Sequence, residues 1–146
     1  MHQELNSAVN FIASYLKSNT SLNINKFKKE LFDLLENKFK NHWCEQYPLL
    51  GNGFRAISFH HPIVDECLLT AASLNGIADI NLYFPSDLVL WIDPHCVSYK
   101  ISDYGYVTTI YESQQHQQPQ QAFNQNPYST TYVQRNVSST TYATSE

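Results

Sequence analysis

Histidine and cysteine are the residues of this chain best suited to binding a metal ion, and most of them occur as close pairs. The pairs are His42 with Cys44, His60 with His61, and His95 with Cys96. A tetrahedral zinc site usually draws on paired spacings such as C-x2-C or H-x3-H, and the chain contains none of these. Adjacent residues on a strand point to opposite faces, so His95 and Cys96 are badly placed to chelate together. The sequence therefore predicts no metal site and no cofactor.

A catalytic role has to be weighed chiefly for Cys67, because a cysteine and a distant histidine form a nucleophile–base pair in some enzymes. Cys67 falls within a predicted helix, where a buried cysteine that only packs is the more common case. The sequence contains no G-x-S-x-G elbow, no H-E-x-x-H pair and no zinc-deaminase pattern. The glycine turn Gly51–Gly53 is not followed by the G-K-[ST] of a phosphate loop. We predict no catalytic residue and no enzymatic activity.

Aromatic residues at exposed positions point to a different function. Around Trp91 the apolar residues alternate, so that Leu90 and Ile92 face one side of a strand and Trp91 the other. If the leucine side packs on the core, Trp91 lies on the surface. Phe54 follows the glycine turn at the start of another predicted strand. Exposed aromatic residues in a sequence that predicts no catalytic or metal site favour a protein-binding module.

Two apolar stripes in the first part of the chain predict helices. The first stripe consists of Leu5, Val9, Ile12 and Leu16, and the second of Phe27, Leu31, Leu35, Phe39 and Trp43. Spacings of three and four residues place each stripe on one helical face. We predict one helix along the first stripe and a second from near Ile24 to about Trp43. The short polar break between them predicts an antiparallel pair.

The remainder of the domain is predicted to contain a third helix and several strands. Asp65 is the predicted N-cap of this third helix, and Gly76 is its predicted C-terminal stop. Its predicted buried stripe consists of Leu68, Leu69 and Ala72. Strands are predicted over residues 54–59, 88–92, 96–101 and 106–111. Because short turns join the last three, they should form an antiparallel meander. The fold class is α+β: an N-terminal antiparallel helix pair and further short helices pack on a small, mainly antiparallel β-sheet.

Composition divides the chain and excludes several classes of protein. The formal net charge of −4 argues against direct nucleic-acid binding, and no apolar run approaches the roughly 20 residues of a membrane span. Three cysteines without a disulfide pattern and no signal peptide indicate an intracellular protein with reduced thiols. Between Ser113 and Gln134 there is no charged residue, and Gln, Asn, Ser and Thr dominate. We therefore predict a folded domain over residues 1–112 and a disordered tail over residues 113–146.

Two stretches of this sequence resemble the signature boxes of the BTG/Tob anti-proliferative family. The first runs from His42-Trp43 through Gly51–Ile57 to Asp65, and the second is Leu90–Pro94 followed by Val97–Ile101. The second box, W-I-D-P followed by V-S-Y, carries most of the resemblance. The opening helix, residues 5–16, is most similar to the Tob branch. The resemblance covers about residues 1–112 and implies the same α+β domain.

The resemblance also implies a function. Members of this family are adaptors that bind the catalytic deadenylase subunit of the CCR-NOT complex and promote mRNA poly(A) shortening, which represses gene expression and proliferation. On this chain the implied partner-binding residues are Phe54, Asp65 and Trp91. Glu66 stands where the family usually has proline. RNA-binding proteins or transcription factors are further expected partners, the expected location is cytoplasm and nucleus, and no membrane or small-molecule substrate is expected.

Two alternatives remain open from the residues alone. The same fold and surface would serve a transcriptional co-regulator or a self-associating scaffold. An enzyme built on Cys67 or on a histidine is the third hypothesis, although the sequence indicates no substrate for it.

Overall fold

A computed structural model describes residues 1–19, 21–60 and 63–114 of the chain. The helices are α1 (His2–Tyr15), α2 (Ile24–Phe39) and α3 (Glu66–Leu74), with short 3-10 helices at Leu16–Ser18 and Ile80–Tyr83. The strands are β1 (Ala56–His60), β2 (Ile63–Val64), β3 (Leu88–Asp93), β4 (Cys96–Ile101) and β5 (Thr108–Glu112). All but the first two residues of the predicted tail lie outside the described residues, so the boundary after Glu112 stays a prediction.

Within the described residues the strands form one antiparallel sheet in the order β2-β1-β3-β4-β5. The predicted meander is confirmed, because β3 pairs with β4 and β4 with β5. The Asp93–Cys96 turn places His95 in the left-handed region with a φ of 72°. Helices followed by an antiparallel sheet confirm the predicted α+β class.

The helices bury their apolar stripes against one face of this sheet. His2 at the start of α1 stacks on Phe32 at a ring-centroid distance of 5.8 Å and contacts Glu36 near the end of α2. These contacts show that α1 and α2 run antiparallel, as predicted. Both predicted stripes contribute to a core that also contains Leu88, Leu90 and Ile92 of β3. No helix in the described ranges has the length and apolar character needed to cross a bilayer.

Helix α2 begins as predicted but ends four residues early. The Asn23 side chain caps its start by accepting a hydrogen bond from the backbone N–H of Lys26 at 3.1 Å. The prediction that it extends to Trp43 is wrong, because the helix ends at Phe39. The His42 carbonyl accepts a hydrogen bond from Arg55 Nη1 at 2.7 Å, and Trp43 packs on the core from outside the helix. The apolar spacing continued past the end of the hydrogen-bonded helix.

Strand β1 and helix α3 also differ from prediction in detail. Phe54 lies in a turn, and the strand begins at Ala56, because the backbone N–H of Arg55 is bonded within the turn at Gly51 and Asn52. Leu69 is 47% exposed, so its assignment to the buried stripe is wrong. The buried side chains of α3 are those of Leu68, Ala71 and Ala72, which lie three and four residues apart. Strand β3 extends one residue further than predicted, and β5 begins two residues later.

Candidate functional site around strand β1

Trp91 lies on the sheet face that points away from the core. In β3, burial alternates, with Leu88, Leu90 and Ile92 buried and the residues between them partly exposed. The cross-strand neighbours of Trp91 are Ala56 on β1 and Ser98 on β4. Because both are small, neither has a side chain large enough to cover the indole ring. The strand therefore places a large, partly exposed aromatic side chain on its off-core face, as its alternation predicts.

Phe54 is presented by the turn that leads into β1. Its side chain is 43% exposed. Its ring stacks on His42 at a centroid distance of 3.9 Å and meets the edge of Phe39 at 6.4 Å. These contacts hold the ring against the end of α2 and leave part of it open to solvent.

The Asp65 carboxylate is largely enclosed. One oxygen, Oδ1, accepts a hydrogen bond from the backbone N–H of Cys67 at 2.9 Å, which is the predicted N-cap of α3. The other, Oδ2, accepts from Lys38 Nζ at 2.6 Å. The Asp65 side chain is only 8% exposed. The Lys38 ammonium in turn lies 5.6 Å from the centroid of the Phe54 ring, so it connects the two predicted site residues.

The three predicted partner-binding residues surround β1, and we call them the candidate surface. Trp91 pairs directly with Ala56, while Phe54 precedes Ala56 by two residues. On the other edge of β1, the backbone N–H of Asp65 donates to the Ser58 carbonyl at 3.0 Å. Neighbouring strands lie about 4.8 Å apart and residues rise about 3.3 Å along a strand, so the backbones of Phe54 and Asp65 lie within roughly 12 Å of that of Trp91.

The residue that organises this arrangement is Arg55, which sequence reasoning did not identify. Its side chain is fully buried. The guanidinium donates to Asp93 Oδ1 at 2.7 Å from Nη2 and at 3.1 Å from Nε. Four backbone carbonyls also accept from it, those of His42, Pro48, Leu50 and Ile92. Arg55 therefore ties the turn that carries Phe54 to the strand end that carries Trp91.

A signal for this role was present in the sequence. Arg55 has the same strand parity as Ile57 and Phe59, which predicts that it faces the core, and a buried arginine requires a carboxylate partner. Asp93 is the last residue of β3, and its local sequence gives no sign of this pairing. Burial raises the pKa of the Asp93 carboxyl, and the hydrogen bonds and charge of Arg55 oppose that shift.

The described residues offer little support for catalysis. Burial, followed by the negative charge of Asp65, raises the pKa of the Cys67 thiol to about 11, so that it holds its proton at neutral pH. Cys44, Cys67 and Cys96 are free thiols. Across the same residues, no three His, Cys, Asp or Glu side chains are placed to hold a metal ion together. What the arrangement can do is present a fixed aromatic surface to another protein.

Comparison with known proteins gives consistent results. The sequence profile of the BTG family matches residues 1–111. Protein BTG1 of Gallus gallus is 34% identical over 118 residues, which cover 77% of this chain and 69% of that protein. Protein Tob1 of Homo sapiens is 39% identical over 114 residues, but this chain spans only 33% of its length. Among solved structures, the BTG/Tob domain of C. elegans FOG-3 shares the fold, with a TM-score of 0.66 at 24% identity over 77% of this chain and 83% of that one.

Proposed function

This chain belongs to the BTG family, and from that premise we propose that it is a non-enzymatic adaptor that binds the catalytic deadenylase subunit of the CCR-NOT complex. By holding the nuclease near selected messages, it promotes poly(A) shortening and so represses gene expression and proliferation. Holding an enzyme close to its substrate raises the effective concentration without changing the chemistry. The proposal expects the chain in cytoplasm and nucleus, where RNA-binding proteins or transcription factors select its targets.

One observation carries this proposal: Trp91 stands on the off-core face of β3, and its cross-strand neighbours are both small. Partly exposed tryptophan is unfavourable in water and is enriched among the few residues that carry most of the energy of a protein interface. Phe54, in the turn before β1 and held by stacking on His42, supplies a second partly exposed aromatic ring. The buried ion pair of Arg55 with Asp93 fixes both presenting segments before any partner arrives, which lowers the entropy cost of binding.

The test is a quantitative binding assay between the full chain and the purified deadenylase subunit. Trp91→Ala should weaken binding about 30-fold, the effect of losing a hot spot of roughly 2 kcal/mol. Tyr104→Ala is the matched control, since Tyr104 is an aromatic residue, 97% exposed, in the turn between β4 and β5. It should bind like the unmodified chain. Circular dichroism should show that both variants keep the fold.

Three results would count against the proposal. Absence of binding by the unmodified chain would refute it outright. Loss of the fold in Trp91→Ala would instead make Trp91 a structural residue. If the unmodified chain captures a transcription factor or a second copy of itself through Trp91, and not the deadenylase, the co-regulator or scaffold hypothesis takes its place.

A further inference from the structure

The carboxylate of Asp65 is engaged within the domain and offers little surface to a partner. Its two oxygens accept from the backbone N–H of Cys67 and from the ammonium of Lys38, at 2.9 and 2.6 Å. With 8% of the side chain exposed, Asp65 has little area for a direct contact to another protein. Its partner Lys38 is the more accessible member of the pair.

Lys38 is held in position from two directions. Asp65 anchors its ammonium, which also lies 5.6 Å from the centroid of the Phe54 ring. The Lys38 side chain is 24% exposed, three times the fraction of its partner. An ammonium group has three N–H donors, and Asp65 is the only hydrogen-bond acceptor for it within the described residues. The remaining donors are therefore available to an oxygen atom arriving from outside.

A cavity next to the Lys38 ammonium could accommodate the group that carries this oxygen atom. It has a volume of about 420 Å³ and lies between α2 and α3. Its walls include the apolar or weakly polar side chains of Leu34, Phe54, Cys67 and Thr70, and its polar lining residues are Asn37, Lys38 and Glu66. A side chain or a backbone segment that enters it would meet the edge of the exposed aromatic ring and the ammonium together.

We propose that Lys38 is the contact residue at this corner of the candidate surface, and that Asp65 is a positioning residue acting through it. The partner supplies an oxygen acceptor, from a carboxylate or a backbone carbonyl, to the Lys38 ammonium beside Phe54. This inference rests on the proposed function and assigns to Lys38 the contact that the family resemblance assigns to Asp65.

Conservative substitutions can separate the contact role of Lys38 from the positioning role of Asp65. Asp65→Asn keeps an N-cap side chain of equal quality for α3 but removes the charge that holds Lys38. Lys38→Met keeps the apolar stem and removes the ammonium. Lys38→Arg keeps a cation and should retain most of the binding. Lys29→Met is the matched control, because Lys29 lies on the same helix in an exposed pair with Asp33.

The experiment is a double-mutant cycle in the full chain, measured as affinity for the purified deadenylase subunit. Lys38→Met should weaken binding about tenfold or more, as expected for a hydrogen bond from a charged group. Asp65→Asn should weaken it less, and the double variant should bind like Lys38→Met alone. Lys29→Met should have no effect. If salt reduces the contribution of Lys38, the partner's acceptor is a carboxylate, and if it does not, the acceptor is a neutral carbonyl.

Two outcomes would overturn this inference while leaving the proposed function intact. One is normal binding by Lys38→Met in a protein whose binding depends on Trp91. The other is an Asp65→Asn effect that is as large in the Lys38→Met background as alone, since that would mean that Asp65 contacts the partner itself. Failure of the unmodified chain to bind would refute the proposed function instead. Thermal denaturation of each variant shows whether a loss of affinity reflects a loss of folded protein.

Discussion

Replacing Asp93 with alanine removes the carboxylate that faces the buried guanidinium of Arg55. The Arg55 side chain is fully buried and that of Asp93 is 14% exposed. Deleting one partner of a buried ion pair usually costs about 3–5 kcal/mol, because a charge is left without compensation. Here four backbone carbonyls still accept from the guanidinium, so we expect the lower end, about 3 kcal/mol.

Urea denaturation followed by circular dichroism measures this effect. With a slope of about 1.5 kcal/mol per molar urea, Asp93→Ala should lower the midpoint by roughly 2 M. Arg55→Met should lower the midpoint further, because the backbone carbonyls of the loop before β1 would lose their hydrogen-bond donor as well. Asp33→Ala, which removes an exposed ion pair with Lys29, should leave the midpoint unchanged. A shift of less than about 0.5 M in Asp93→Ala would refute the view that this pair organises the domain.

Two further predictions concern single residues. Because burial and Asp65 raise the pKa of Cys67 to about 11, its alkylation by iodoacetamide at pH 8 should be about a hundredfold slower than that of a free thiol. In the unfolded chain this thiol ionises at a lower pH than in the folded one, so the free energy of unfolding should fall as the pH rises from 9 to 11. Cys67→Ala should abolish this part of the pH dependence. A normal alkylation rate in the folded chain would contradict both the slow alkylation and the pH dependence. Gly76 ends α3 with a φ of 70°, and no described atom other than its near neighbours lies within 4 Å of an added Cβ. Gly76→Ala should therefore cost about 1 kcal/mol from backbone strain alone, lowering the Tm by about 4 °C or more, whereas an unchanged Tm would show that the turn adapts.

Local patterns in the sequence predicted those parts of the fold that depend on local physics. The alternation around Trp91 identified its face, because a strand has a strict period of two and the Asp93-Pro94 turn limits its register. Asp65 was identified as a cap because capping involves a donor only two or three residues away. The end of α2 was missed because apolar spacing records which side chains are buried, whether or not the backbone between them is helical.

Contacts between residues far apart in the sequence were not predicted from local patterns. Arg55 and Asp93 are 38 residues apart, and nothing in either local pattern names the other. Lys38 and Asp65 are separated by 27 residues and belong to different elements. Asp65 also has a sufficient local role as the N-cap of α3, which gives no hint of a distant partner. A charged residue at a core-facing strand position, such as Arg55, is the signal that would have prompted the search.

The two long-range ion pairs give the candidate surface a rigidity that its local structure does not supply. Phe54 lies in a turn and Trp91 near the end of a strand, and such positions are ordinarily the least restrained parts of a domain. Arg55 bonds to the backbone around the first and to the aspartate two residues after the second, while Asp65 orders Lys38 at the third point. Much of the entropy of arranging these side chains is therefore lost on folding, and less is lost on binding. In this domain the two ion pairs fix the geometry of the candidate surface, and its aromatic residues supply the contact area.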